Sequence, residues 1–336
     1  MLLTDPAHHE TIFSNTTKFY KDPRYYRLTG ADTSIFAMVS NEAHRRYRAI
    51  LNPFFSRRSV LAQEAVVQTK TDRLLQRIEA DSARGEATFI GTGFRAISID
   101  VITEYAFGPG RCWDFLERKD FGGWFSELGR AIAPMVYVLQ IFPILRKPMQ
   151  EMPPWLARKL SPIVVGLLDI MDLVKKDVEH VVGDIHAGVH PEKPTIFHTV
   201  LNPDAKAALL GGNTKIVPTV KHMVDEAFVV VGAASETVGN TMTVCTFHVL
   251  SNRDIYAKLR AELVAAFPDP TQKVDTLTLE KLPYLTGVIK EGLRLSYGVL
   301  HPLPRVVPEP GASFNGYWFK AGVCINLSYL PQTWER

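Results

Sequence analysis

The sequence predicts a mainly α-helical domain that gives way to a small β-sheet region. Three observations predict it. Residues 224–250, VDEAFVVVGAASETVGNTMTVCTFHVL, form one long apolar stretch of helical character. Further segments between Asn41 and Leu295 repeat apolar residues at helical spacing. From Val299 onward the text changes to short extended pieces around the turn signal Asn315-Gly316. With 336 residues, 46% hydrophobic and 22% charged, the chain has globular composition and room for one large domain or two smaller ones. A net charge of +3 is too small to argue for nucleic-acid binding.

Residues 1–40 alternate turns with short apolar pieces, and the first helix predicted is NEAHRRYRAIL, Asn41 to Leu51, with Asn41 as its cap and Pro53 marking its end. His44 and Arg48 are four apart and share a face, so two cationic donors there can grip a carboxylate or phosphate; a solvated basic face is the plainer alternative. Helical spacing then predicts a helix over 57–83 and another over 94–107, the latter stopped by Gly108-Pro109-Gly110. Trp113 to Trp155 is rich in aromatics and prolines, which suits either a pocket lining or plain core. Ser161-Pro162 opens a long helix to about Ile185. His186 and His190 have metal-like spacing, but Gly188 and Pro191 argue against a rigid helical pair. The loop 211–215, GGNTK, lacks the spacing of a phosphate cradle.

The stretch at 224–250 organises the rest. Residues 227–235 are uncharged and apolar or small all round, the pattern of a helix buried on every side. Glu236 and Thr237 follow directly on Gly232, Ala233, Ala234 and Ser235. A carboxylate there is costly unless it is paired or has a task, and the small residues one turn earlier leave the backbone bare. An acid and a hydroxyl beside a bared helix face suit proton delivery to a ligand. A membrane span is disfavoured, because a charge near its centre costs about 2.5–3.5 kcal/mol. Next come an amphipathic helix capped by Ser251 or Asn252 and a helix predicted over 277–295, in which Glu291 and Arg294 lie three apart. The last part is extended at 301–305, turns at Asn315-Gly316, and reads as a strand at 323–327. Cys112, Cys245 and Cys324 are widely spaced and form no disulfide framework, which points to a reducing compartment. The opening residues, MLLTDPAHHET, read as neither signal peptide nor anchor.

Together these pieces resemble the cytochrome P-450 family of haem-thiolate monooxygenases. GAASET at 232–237 is similar to its oxygen-activation motif, EGLR at 291–294 to its E-x-x-R helix, and HRRYR at 44–48 to the basic helix that meets a haem propionate. DVITEYAFG at 100–108 and PRVVPEPGASFNGYW at 304–318 resemble further family segments, and HRRYRAILNPFFSRRSV looks most like fungal secondary-metabolism members of the trichodiene-oxygenase kind. The motifs stand in the family's order, and the resemblance covers nearly all of 1–328.

The resemblance implies a single domain over 1–336 with a haem (heme, iron protoporphyrin) cofactor, O2, a small apolar substrate of the terpenoid or other secondary-metabolite class, and an NADPH-dependent reductase as partner. It implies an endoplasmic-reticulum membrane surface for intact members, and a cytoplasmic or peripheral place for a chain lacking the anchor. By the same resemblance Glu236 and Thr237 relay protons, Ala233 and Ala234 form the groove over the haem, His44 and Arg48 meet one propionate and Arg305 the other, and Glu291 with Arg294 braces the fold. Two departures stand out. Ala234 occupies a position that is usually Gly, and the glycine-rich loop carrying the family's axial Cys is absent from the sequence. The expectation is therefore a chain truncated before that loop and lacking the anchor, with weak haem binding and no turnover. The alternative is a non-catalytic helical module that binds an apolar small molecule or a partner. A magnesium-dependent terpenoid cyclase is set aside, because no DDxxD is present.

Overall fold

A computed structural model describes the chain except residues 28–29, 146–147, 149–151, 161, 190–193, 212–214, 270–271, 299–302 and 328–336. Ser161, His190, the centre of the 211–215 loop, His301 and the closing PQTWER lie outside the described residues.

The helices are α1 (His9–Phe13), α2 (Pro23–Tyr26), α3 (Asn41–Leu51), α4 (Arg57–Leu61), α5 (Glu64–Ala83), α6 (Ile90–Phe107), α7 (Gly123–Ile141), α8 (Pro154–Leu160), α9 (Pro162–His186), α10 (Ile196–Leu201), α11 (Pro203–Leu210), α12 (Val220–Ser251), α13 (Arg253–Ala266), α14 (Thr276–Leu279) and α15 (Pro283–Leu295). The strands are β1 (Leu2–Leu3), β2 (Tyr20–Lys21), β3 (Arg305–Val306), β4 (Gly311–Phe314), β5 (Tyr317–Lys320) and β6 (Cys324–Leu327). The mainly helical class with a small sheet region is the one predicted.

The differences have local causes. Ser40, not Asn41, caps α3: its hydroxyl accepts from Ala43 N at 3.2 Å, which frees the Asn41 amide to donate to the Thr17 and Phe19 carbonyls at 3.1 Å each. Two short helices precede α3, each too brief for periodicity to register; Pro23, capped by Asp22, opens the second. The helix expected over 57–83 breaks after Leu61, and that expected over 277–295 is interrupted before Pro283, which restarts it from its first position. Asn252 caps α13, accepting from Asp254 N and Ile255 N at 3.1 Å each.

The long helix α12, about 48 Å at the usual rise per residue, runs through the main helical core. It packs on α6, α9 and α15. Close approach to α6 depends on Gly239, where a Cβ would lie 2.4 Å from Arg95 Cγ. The expectation of burial on every side is corrected here. Ala227, Val231 and Ser235 are buried, but Gly232 and Ala233 are exposed. Small side chains at helical spacing cannot reveal which face lacks a neighbour.

The first strand and the last described strand pair in a four-stranded sheet of order β1-β6-β3-β2, with β1 parallel to β6 and the other pairs antiparallel. The hairpin β4–β5 turns at Asn315 and Gly316, both at positive φ, as its sequence predicts. A second apolar cluster, including Leu3, Ile12, Phe19, Phe314 and Ile325, holds this region together.

Candidate functional site

The middle of α12 places its acid and its hydroxyl on different faces. Consecutive helical residues point about 100° apart, so Glu236 and Thr237 diverge. Glu236 turns toward α6, where Arg95 Nε donates to its Oε2 at 2.9 Å. Arg95 is 9% exposed and also donates from Nη1 to Gly91 O at 2.8 Å. The other Glu236 oxygen, Oε1, is buried and has no hydrogen-bond partner among the described residues. Thr237 is exposed, and its hydroxyl donates to Ala233 O at 2.8 Å, the back-bond that a mid-helix Thr commonly makes. Gly232, Ala233, Thr237 and Val238 are exposed, while Ala234 is half-buried.

A cationic pocket of about 480 Å³ lies between α3 and the four-stranded sheet. His44, Arg45 and Arg48 line it from α3, Lys21 from β2 and Arg305 from β3, with Phe13 and Phe19 as apolar lining and no acidic lining residue among the described residues. The four-residue spacing of His44 and Arg48 on α3 sets both on its face. Burial, then the charges of Lys21, Arg48, Arg305 and Arg45, push the His44 imidazole down to about 4, so it is neutral near pH 7. Burial, then Arg305, pushes the Lys21 ammonium down to about 8 against the opposing pull of Glu226. The Arg305 guanidinium donates to the Tyr26 hydroxyl and lies over the Phe13 ring, 4.8 Å from its centroid.

Sequence reasoning passed over the doublet Asp225-Glu226, 3% and 2% exposed, near the start of α12. Both hold the strap formed by residues 31–37. Thr33 donates its N–H and hydroxyl to Asp225 Oδ2 at 3.1 and 2.6 Å, and Ile35 N donates to Glu226 Oε2 at 2.8 Å. From the pocket side, Lys21 Nζ donates to the Ile35 and Phe36 carbonyls at 3.0 and 2.9 Å. Glu226 Oε1 is buried without a partner among the described residues, and burial lifts this carboxyl to about 7. The available signal was two adjacent acids just ahead of an all-apolar run.

The structure thus brings His44, Arg48 and Arg305 into one pocket and sets Glu236 and Thr237 apart from its lining, farther along α12. Glu291 and Arg294 pair at 2.7 Å on an exposed face of α15. In the aromatic section, Trp113, Phe115, Phe121 and Phe125 are core, whereas Phe142 and Trp155 are exposed. Cys112, Cys245 and Cys324 are free, and burial raises each thiol, that of Cys112 to about 12. None lines the cationic pocket. Among the described residues no group of His, Cys, Asp and Glu is placed to hold a metal ion, and no helix is long and apolar enough to cross a membrane.

Fold and site together define an α-rich domain with a cationic pocket between its basic helix and its small sheet, and a long helix bared at its middle. The chain belongs to the cytochrome P-450 family, whose sequence profile matches residues 1–331. It is 28% identical to the cytochrome P-450 monooxygenase macH of Penicillium terrestre, over 96% of this chain and 62% of that protein. It is 32% identical to the conidiogenone synthase of Penicillium rubens, over 93% and 60% respectively. It is 31% identical to the N-acetyltryptophan 6-hydroxylase ivoC of Emericella nidulans, over 98% and 63%. The chain spans less than two thirds of the length of each of these relatives.

Proposed function

We propose that this chain is the cofactor-clamping part of a haem-dependent monooxygenase of fungal secondary metabolism. The observation that carries this reading is the cationic pocket, lined by Lys21, His44, Arg45, Arg48 and Arg305 with no acid lining it among the described residues. Haem carries two propionate carboxylates, and this donor set fits them. Arg48 and Arg305 supply fixed charge and forked donors, and a neutral His44 supplies a ring N–H. When bound, haem supplies the activation of O2 and the insertion of one oxygen atom into an apolar substrate.

The chain's own residues bind, orient and handle protons. Ala233 and Ala234 keep the helix surface flat, so a planar group can lie close to it. The Thr237 hydroxyl, fixed by the Ala233 carbonyl, can hold a water at the exposed face. Glu236 keeps Oε2 on Arg95, which leaves Oε1 as the atom that takes up and releases a proton. To deliver that proton to the Thr237 face, Glu236 must swing off Arg95. Glu291 and Arg294 brace α15 and do no chemistry. Cys112, Cys245 and Cys324 lie outside the lining of the pocket, and none of them is assigned here as the iron's thiolate. Electrons come from an NADPH-dependent reductase at a membrane surface.

The relatives named as conidiogenone synthase and N-acetyltryptophan 6-hydroxylase differ in what their names say they make or act on, so the shared scaffold leaves the substrate open within the secondary-metabolite class. The test is a haem titration of the purified chain followed by Soret absorbance. Weak uptake of one haem per chain is expected, with affinity lowered about a further tenfold by either Arg48→Gln or Arg305→Gln, as for loss of one charge-assisted hydrogen bond. No uptake, or uptake indifferent to both substitutions, defeats the reading.

A further inference from the structure

Lys21 stands directly opposite Arg305 in the antiparallel β2–β3 pair. Like charges in that relationship are destabilising, and here both side chains are half-buried and both line the same pocket. The arrangement makes sense if an anion lies between them. An ammonium has three N–H donors. Two of those of Lys21 are spent on the Ile35 and Phe36 carbonyls of the strap. The strap's other side is fixed to α12 through Asp225 and Glu226.

We infer that Lys21 is a further anion-binding residue of the cationic pocket, giving its third N–H to a bound carboxylate while its other two hold the 31–37 strap, so that occupancy of the pocket and order of the strap are coupled. The identity of the carboxylate, a haem propionate, rests on the function proposed above; the anion site and the coupling do not. A ligand carboxylate stabilises the ammonium that burial and Arg305 disfavour. It thereby strengthens the two strap bonds that depend on that charge. The strap in turn reaches α12 seven residues before Ala233, so filling one end of the site stiffens the segment leading to the other.

The experiment compares the wild-type chain with Lys21→Gln, which removes the charge but keeps N–H donors for the strap, and with Lys21→Met, which removes both. Three probes are used: haem, haem dimethyl ester, whose carboxylates are blocked, and inorganic sulfate. Lys21→Gln should bind haem about tenfold more weakly and the ester as tightly as wild type does. Haem should slow amide exchange at Ile35 in wild type and leave Lys21→Met unchanged. Equal losses for haem and ester would mark a purely structural lysine and overturn the inference, as would no loss for either. If the wild-type chain takes up no haem, the proposed function fails and the sulfate arm decides this inference alone. A rise in melting temperature with sulfate that Lys21→Gln lacks upholds it. An equal rise in both, or none in either, overturns it.

Discussion

Arg95 and Glu236 meet across the α6–α12 interface, Nε to Oε2 at 2.9 Å, with the arginine stem lying where a side chain at position 239 would be. The helix contact and the acid of the candidate site are therefore one construction: the bare backbone at Gly239 lets in the cation that holds Glu236. Arg95→Met removes a largely buried partner and leaves a carboxylate facing α6. It should destabilise the chain by about 1–3 kcal/mol in urea unfolding. A double-mutant cycle with Glu236→Gln should return a coupling of about 1–2 kcal/mol; independent, additive effects would show that the pair does no more than touch.

Two glycines of the same helix should respond to alanine with opposite sign. At Gly239 the new Cβ lies 2.4 Å from Arg95 Cγ and 3.1 Å from the Arg95 backbone, so Arg95 cannot simply step aside. Overpacking should outweigh the gain in helix propensity, for a net loss of roughly 1–3 kcal/mol. At Gly232 an added Cβ would meet no packing neighbour within 4 Å among the described residues, and alanine should stabilise the unliganded chain by about 0.5–1 kcal/mol. Melting temperatures of the two variants read this directly. A Gly232→Ala chain that also loses haem affinity would locate the ligand on that bare face.

Asp100 is 1% exposed, and its two oxygens cap Phe115 N and Leu116 N at 2.8 and 2.9 Å. Burial raises its pKa despite those bonds. Asp100→Ala strands two buried N–H groups and should cost about 2–4 kcal/mol. Asp100→Asn keeps one acceptor and should cost about half as much by the same reasoning. Equal losses from the two variants in chemical denaturation would refute the cap.

The strap latch carries a pH signature. Burial lifts Glu226 from 4.5 to about 7 in the folded chain, and unfolding returns it to 4.5. Between those values the native state holds a proton that the unfolded state has released, so stability falls as pH rises through the window. His44 runs the other way: depressed from 6.5 to about 4, it withdraws stability as pH falls through that range. Lys21 acts higher, between about 8 and 10.5, where stability rises with pH. Comparing Glu226→Gln with wild type isolates the carboxyl. From pH 5 to pH 8 the variant should gain on wild type by on the order of 2–3 kcal/mol. Parallel profiles would refute a buried, proton-holding Glu226.

Much of the fold was legible because it depends on patterns within one stretch. Helix α3 ends where Asn52-Pro53 predicts, α6 stops at Gly108, and the hairpin turns at Asn315-Gly316. The four-residue spacing of His44 and Arg48 put them on one face before any fold was known. Legibility failed where a residue's partner is distant in sequence. Arg95 lies 141 residues from Glu236, and Thr33 lies 192 from Asp225. Read locally, Asp225-Glu226 is an acid pair near a helix start, and Lys21 is one lysine beside a turn.

The sequence by itself determined the helical class, the family and the shared face of His44 and Arg48, because periodicity, caps, turns and motif order act over a few residues each. Only the tertiary structure decided that Glu236 turns away from Thr237 to an arginine on another helix, that Gly232 and Ala233 lie bare, and that Lys21 joins Arg305 in a pocket roped to α12 by a buried acid pair. Burial, charge pairing and the shifts they impose on Lys21, His44 and Glu226 are set by what packs against a side chain, and that is a property of the assembled chain.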